Sequence, residues 1–194
     1  MGRVHGTDRH NRPSVALSLC VAVTMLSLWS VLCTVHAQAP PQTSGIDFDA
    51  IPFSSARTRS GTVKFSHGEY RERIAPGSAL ELVVTLTTPR AIGVVNGEPA
   101  AGVVMATDLG GSGTFYDLAL LIKRGGVWMH VDTRFLGDRV KIHSVALRGN
   151  ELIIDLTAHG PQDPLCCPTR RVTRRFAIDT GRLVAVETNG DDGT

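Results

Sequence analysis

The sequence has little of what usually betrays an activity. Four of its 194 residues are cysteine, and two of these, Cys20 and Cys33, fall within the first 37. That leaves Cys166 and Cys167 side by side, too few for a four-thiolate zinc site or a disulfide-stapled scaffold. Aromatic residues make up only 5%, so the stacking platforms of single-strand nucleic-acid binding are lacking. An excess of one charge is lacking too. The first 37 residues carry Arg3, Arg9, Arg12 and Asp8, and the remaining 157 hold 17 basic and 17 acidic residues. A neutral domain has no global field to draw in nucleic acid or anionic lipid. No long stretch repeats at the helical period, which excludes a helix bundle. Apolar content of 42% and charged content of 20% exclude collagen, coiled coil and wholesale disorder.

The N-terminus is organised for export. Residues 1–13 are polar and basic, Val15 to Leu32 are almost continuously apolar, and Val35-His36-Ala37 follows. This order predicts a signal-peptide helix over residues 1–37, cleaved after Ala37. Its alternative is a retained anchor, since eighteen apolar residues just span a bilayer. Lipid attachment at Cys33 or Cys20 is disfavoured by the bulky Leu32 and Leu19 before them. The expected location is extracytoplasmic, periplasmic or secreted, with no membrane span after cleavage. Residues 38–60 read as a Pro- and Ser-rich leader with little regular structure beyond a short helical turn within 46–56. Residues 61–188 read as a single β domain, and 189–194 as a frayed tail.

Turn signals beat regularly through that domain: Asn96-Gly97, Gly110 to Gly113, Gly125-Gly126, Gly137-Asp138, Gly149-Asn150 and Gly160-Pro161. Asn-Gly, Gly-Gly and Gly-Asn suit tight hairpins. Runs rich in Val, Leu, Ile and Thr lie between them. The fold class expected is all-β: one antiparallel sheet domain built as a meander, sandwich or half-barrel. Leu80, Leu82, Val84 and Leu86 share a face, as do Leu152, Ile154 and Leu156. From Val127 to Phe135, the alternation sets Val127, Met129, Val131 and Phe135 against His130, Asp132 and Arg134. Ala101–Ala106 and Phe115–Ile122 are apolar on both faces and read as central strands. A phase change near His143-Ser144 reads as a β-bulge.

Chemical templates fail one by one. The Gly-rich stretch around Ser112 opens a strand rather than a helix, has no following Lys, and has Thr114 where a nucleophile elbow needs Gly. His130, Asp132, His143, Asp155 and His159 read as exposed polar groups on an open sheet face rather than a metal or acid–base cluster. Arg170, Arg171, Arg174 and Arg175 read as solvated and paired with acids, with Val172, Phe176 and Ile178 facing inward. Cys166 and Cys167 are bracketed by Pro164 and Pro168. Their Cα atoms lie about 3.8 Å apart across a trans peptide, short of an ordinary bridge. A vicinal disulfide, two buried thiols, or an intermolecular bridge or metal site remain open. In the first two cases the pair is expected to pin this corner against the sheet.

The combination Gly110–Tyr116 (GGSGTFY), Leu136–Val140 (LGDRV) and the HGPxDPxCCPTxxVxRxF pattern from His159 to Phe176 resembles a family of bacterial secreted or lipoprotein-like domains. It is also similar to mycobacterial-type lipoproteins that share a DPxCCPT element. The resemblance covers roughly residues 62–186 and implies an envelope location rather than a mechanism. Many such sequences carry an acidic, calcium-like loop before the central strand. Here Gly93–Pro99 (GVVNGEP) retains only Glu98, too few oxygens for calcium. No cofactor or metal is expected.

Two functions follow. The first is a non-catalytic binding or structural β-module of the cell envelope, whose partner is an envelope protein or a cell-wall component. The second is a thiol-based redox or sensing protein using Cys166 and Cys167. His159, Asp163, Arg170 and Ser112 are the residues expected near any ligand.

Overall fold

A computed structural model describes Gly2 and residues 45–186. The expected signal-peptide helix (apart from Gly2), residues 38–44 of the expected leader and the tail lie outside the described residues. Among the described residues no helix is long and apolar enough to cross a membrane. The fold is all-β. A single 3-10 turn, Phe48–Ala50, supplies the short helical turn expected near residue 50. Twelve strands follow: β1 Pro52–Ser54, β2 Thr62–Lys64, β3 Glu69–Arg73, β4 Glu81–Leu86, β5 Ala91–Val95, β6 Glu98–Asp108, β7 Thr114–Arg124, β8 Val127–Asp138, β9 Lys141–Arg148, β10 Glu151–Ala158, β11 Arg170–Asp179 and β12 Arg182–Val186. The domain therefore begins before residue 61. Phe53 of β1 is wholly buried, so part of the expected leader belongs to the fold.

The described strands form three antiparallel sheets. Six strands run β3-β4-β6-β7-β8, with β5 beside the first half of β6; four run β12-β11-β10-β9; β1 and β2 pair alone. The four-stranded sheet packs Leu152, Ile154, Leu156, Phe176, Ile178 and Leu183 onto Val104, Leu118, Leu120 and Ile122 of the larger sheet. The β1–β2 hairpin covers the other face, placing Phe53, Val63 and Phe65 against Met105, Ala119 and Leu121. This three-layer arrangement explains why β6 and β7 are apolar on both faces.

Tight turns sit where the glycines predict. Asn96-Gly97, Gly125-Gly126 and Gly149-Asn150 each join strands in two-residue hairpins. Asn96 and Gly97 both have positive φ, 50° and 82°, as a primed turn requires. A further hairpin, Thr180-Gly181, joins β11 to β12. The bulge near His143 is present: Asp155 pairs with Ser144 and Leu156 with Ile142, leaving His143 as the extra residue. Gly137-Asp138 is not a turn; it lies inside β8, and the chain bends after it.

β8 corrects the alternation expected for Val127–Phe135. Leu121 pairs with His130 and Leu120 with Asp132, so Val131 is an inserted residue; Leu136 is a second insertion between Phe135 and Gly137. Each insertion reverses the two-residue period. His130, Thr133 and Phe135 consequently share one face of the sheet, while Met129, Asp132 and Arg134 occupy the other. Phe135 is 53% exposed and Val127 62%, not core residues.

Candidate functional site

Antiparallel pairing collects four connections at one end of the sheets: 74–80 after β3, 109–113 after β6, 139–140 after β8 and 159–169 after β10. Three of them overlap the stretches Gly110–Tyr116, Leu136–Val140 and His159–Phe176. Arg139 ties these together. Its Nε donates to the Ser112 carbonyl at 2.8 Å, its Nη1 donates to the Leu165 carbonyl, and its Nη2 lies 3.4 Å from Ser112 Oγ. Asp138 pairs with the same guanidinium at 3.1 Å and accepts the Thr114 N–H at 2.9 Å. Arg139 itself has φ of +51°, the left-handed turn that swings the chain from one sheet into the other.

Asp163 organises the 159–169 connection from within. Its carboxylate accepts the N–H groups of Gly160 and Thr169 at 2.8 and 2.7 Å and the Thr169 hydroxyl at 2.7 Å. These bonds favour the charged form, so its pKa is lowered, by the Gly160 N–H first and the Thr169 groups next; His159 adds a smaller Coulombic pull. Gly160 also lies against Asp163 and Arg170 Cβ. Ser112, His159, Asp163 and Arg170 thus lie in or beside the connections at one end of the sheets. Arg139, which connects them, was not among the expected residues. LGDRV marks its place, but the residue types in that motif give no sign of a bridging role.

Cys166 and Cys167 form a vicinal disulfide, with Cα atoms 3.8 Å apart. Both are exposed, which corrects the expectation of sulfur buried against the sheet. Asp163 and Arg139 hold the corner instead, and the disulfide rides on its outside. Leu165 beside it is 81% exposed.

The histidine group does not assemble. His130 and Asp132 point to opposite faces of β8, and His143 sits in the other large sheet, bonded to Thr157 at 2.8 Å. Among the described residues no three His, Cys, Asp or Glu side chains form a metal-binding group. The basic run is partly neutralised. Arg171 bonds Asp155 and Arg175 bonds Glu151 across β10, as expected, while Arg174 donates to the Leu136 carbonyl.

A second locus was missed by the sequence reading. Asp117 is 8% exposed in the otherwise apolar centre of β7. Arg57, from the β1–β2 connection, donates from Nε to its carboxylate at 3.1 Å. The Arg57 guanidinium stacks 4.5 Å from the Phe115 ring and 4.8 Å from Phe135. Asp117, Arg57 and Phe135 border an open depression of about 680 Å3 that also meets Ser55, His130 and Thr133. The lone acid inside the run Phe115–Ile122 was the available signal, because a buried charge demands a partner.

No family model, curated protein or solved structure matches the chain.

Proposed function

We propose that this chain is an exported, non-catalytic binding module of the cell envelope that docks through its 159–169 connection. The observation that carries the reading is an exposed apolar tip on a rigidly held loop. Leu165 and the disulfide face solvent, yet the segment beneath them is fixed by Arg139, Asp163, Pro164 and Pro168. Exposed apolar side chains add nothing to the fold, whereas holding them still lowers the entropy lost on binding. The partner class is an envelope protein or a cell-wall component. A photo-crosslinking residue in place of Leu165, with the same substitution at Val184 as control, tests this in cells exporting the protein. A discrete adduct from position 165 is expected, and it should weaken in Arg139→Ala. No adduct, or the same adducts from position 184, overturns the reading.

A second reading rests on the exposure of both sulfurs. An external dithiolate can attack one sulfur, release the other as thiolate, and leave as a cyclic disulfide while Cys166 and Cys167 become a dithiol. Complete alkylation of both cysteines after brief dithiol treatment of the native protein supports exchange. Resistance until denaturation removes it.

A further inference from the structure

The depression beside Asp117 lies apart from the 159–169 connection and shares no lining residue with it. Its hydrogen-bonding polarity can be worked out atom by atom. The Ser54 N–H donates to His130 Nδ1 at 3.0 Å, so that nitrogen bears no proton. The imidazole, stacked 5.6 Å from Phe53, is neutral with its proton on Nε2. Burial lowers its pKa in the same sense, against a smaller opposing pull from Asp132. Nε2–H then donates toward the Asp132 carbonyl at 3.0 Å and Thr133 Oγ1 at 2.8 Å. The Thr133 oxygen is an acceptor there, and its own hydroxyl proton is free to donate. Ser55 Oγ likewise accepts the Arg57 N–H at 3.3 Å, leaving its proton free.

Arg57 completes the set. Nε is taken by Asp117, while the terminal nitrogens bond no described residue. The one wholly buried polar side-chain atom without a partner among the described residues is Arg175 Nε, so those Arg57 nitrogens are open to solvent. The Phe115 and Phe135 rings hold the guanidinium plane in place. Asp132 also borders the depression, but its carboxylate is turned away from it. It lies on the far side of β8, bonded to the Leu183 N–H at 2.7 Å and 3.5 Å from Arg134.

Two further features mark this as a built site. The insertion at Val131 is what brings Thr133 and Phe135 onto the face of His130, and bulges of this kind re-aim side chains beside functional sites. Asp117 and Arg57 form a largely desolvated ion pair, which is weak evidence of stability and is often neutral against an apolar replacement. Free donors thus converge beside apolar walls of Phe135, Val131 and Met105, in a volume typical of small-molecule sites.

We propose that the depression binds a small organic acid, its carboxylate on the terminal nitrogens of Arg57 and the hydroxyls of Ser55 and Thr133, its apolar body against Phe135. Asp117 orients the guanidinium by holding its Nε edge and leaves the outer edge for the ligand, in the planar pairing that suits carboxylates.

The test is calorimetric titration of the purified chain with benzoate, and with benzamide as its uncharged counterpart. Saturable benzoate binding is expected, with benzamide weaker by on the order of tenfold or more, one charge-assisted contact's worth. Arg57→Gln should reduce benzoate binding at least as much, and Thr133→Val by a few-fold. Equal binding of benzamide, unchanged binding in Arg57→Gln, or no saturable binding of benzoate overturns the proposal. If Arg57→Gln does not fold, Thr133→Val and Ser55→Ala decide: unaltered affinity in both refutes the site.

Discussion

Replacing Arg139 perturbs the side chain that joins its own connection to two of the other three at the loop end. Arg139→Ala removes two well-directed charge-assisted bonds, to the Ser112 and Leu165 carbonyls, and the pairing with Asp138. Such bonds are each worth about 1.5–3 kcal/mol when shielded. The side chain retains 21% of its exposure and Leu165 lies on an open loop, so water partly replaces what is lost. A total of about 2–3 kcal/mol follows, or a fall in Tm of about 4–12 °C for a domain of this size. The backbone supplies an internal control. At φ of +51° any residue with a Cβ is strained, and glycine is not. Arg139→Gly loses the same guanidinium yet should be about 0.5–1 kcal/mol more stable than Arg139→Ala, after allowing for glycine's greater unfolded-state entropy. Denaturant unfolding of the three proteins measures both differences. Limited proteolysis should show faster cleavage within 159–169 in both variants. An alanine variant with unchanged midpoint and unchanged cleavage, or a glycine variant less stable than alanine, would refute the bridging role.

Three further outcomes are expected. Replacing Cys166 and Cys167 together with Ser should change stability by no more than about 0.5 kcal/mol, because both are surface positions; intact mass of the wild type should be two hydrogens below the dithiol, and a large loss of Tm in the variant would contradict their exposure. Asp163 has a native pKa below its unfolded value, so its contribution is fully present above about pH 4 and is lost as pH falls through the lowered native value; amide exchange at Gly160 and Thr169 should rise over that range, whereas in Asp163→Asn it should be high throughout. Gly102→Ala places a Cβ 2.4 Å from Leu152 Cδ2 and 3.1 Å from Cδ1, so overpacking should cost about 1–3 kcal/mol, measured by chemical denaturation; stability equal to wild type would show that Leu152 moves aside freely.

The strand class was legible because turn chemistry and side-chain period agree. Gly125-Gly126 and Gly149-Asn150 sit between runs rich in Val, Leu and Ile, and the residues flanking each turn pair directly. Continuous apolar runs marked β6 and β7 as covered on both faces, although nothing local told which layers cover them. The division into three sheets was hidden because sheet membership is decided by long-range pairing. The bend at Arg139, which sends the chain from one sheet to the other, was signalled only by Gly137-Asp138 just before it, and that dipeptide does not tell that the next strand joins a different sheet. The faces of β8 were hidden for a related reason. A bulge changes phase without changing residue type, and Val131 and Leu136 look like ordinary strand residues. Placing Cys166 and Cys167 inside followed from the general burial of sulfur, but bonding to each other satisfied them on the surface.

The two loci share a support, and the support is glycine. A Cβ at Gly113 would lie 3.1 Å from Asp138 Oδ1 and 3.4 Å from Phe115 Cζ. Asp138 pairs with Arg139 and caps the Thr114 N–H, so it belongs to the loop end. Phe115 is one of the two rings that hold Arg57, so it belongs to the depression. The glycine-rich stretch therefore needs no phosphate to account for its composition. Gly110, at φ of +74° beside the Glu81 carbonyl, turns the chain, and Gly113 leaves room for an acid and an aromatic ring to approach from two sides. A methyl group at position 113 would meet the Phe115 ring at ordinary contact distance, but the Asp138 carboxylate would have to give by a few tenths of an ångström, which bears directly on its ion pair with Arg139 and its bond to the Thr114 N–H.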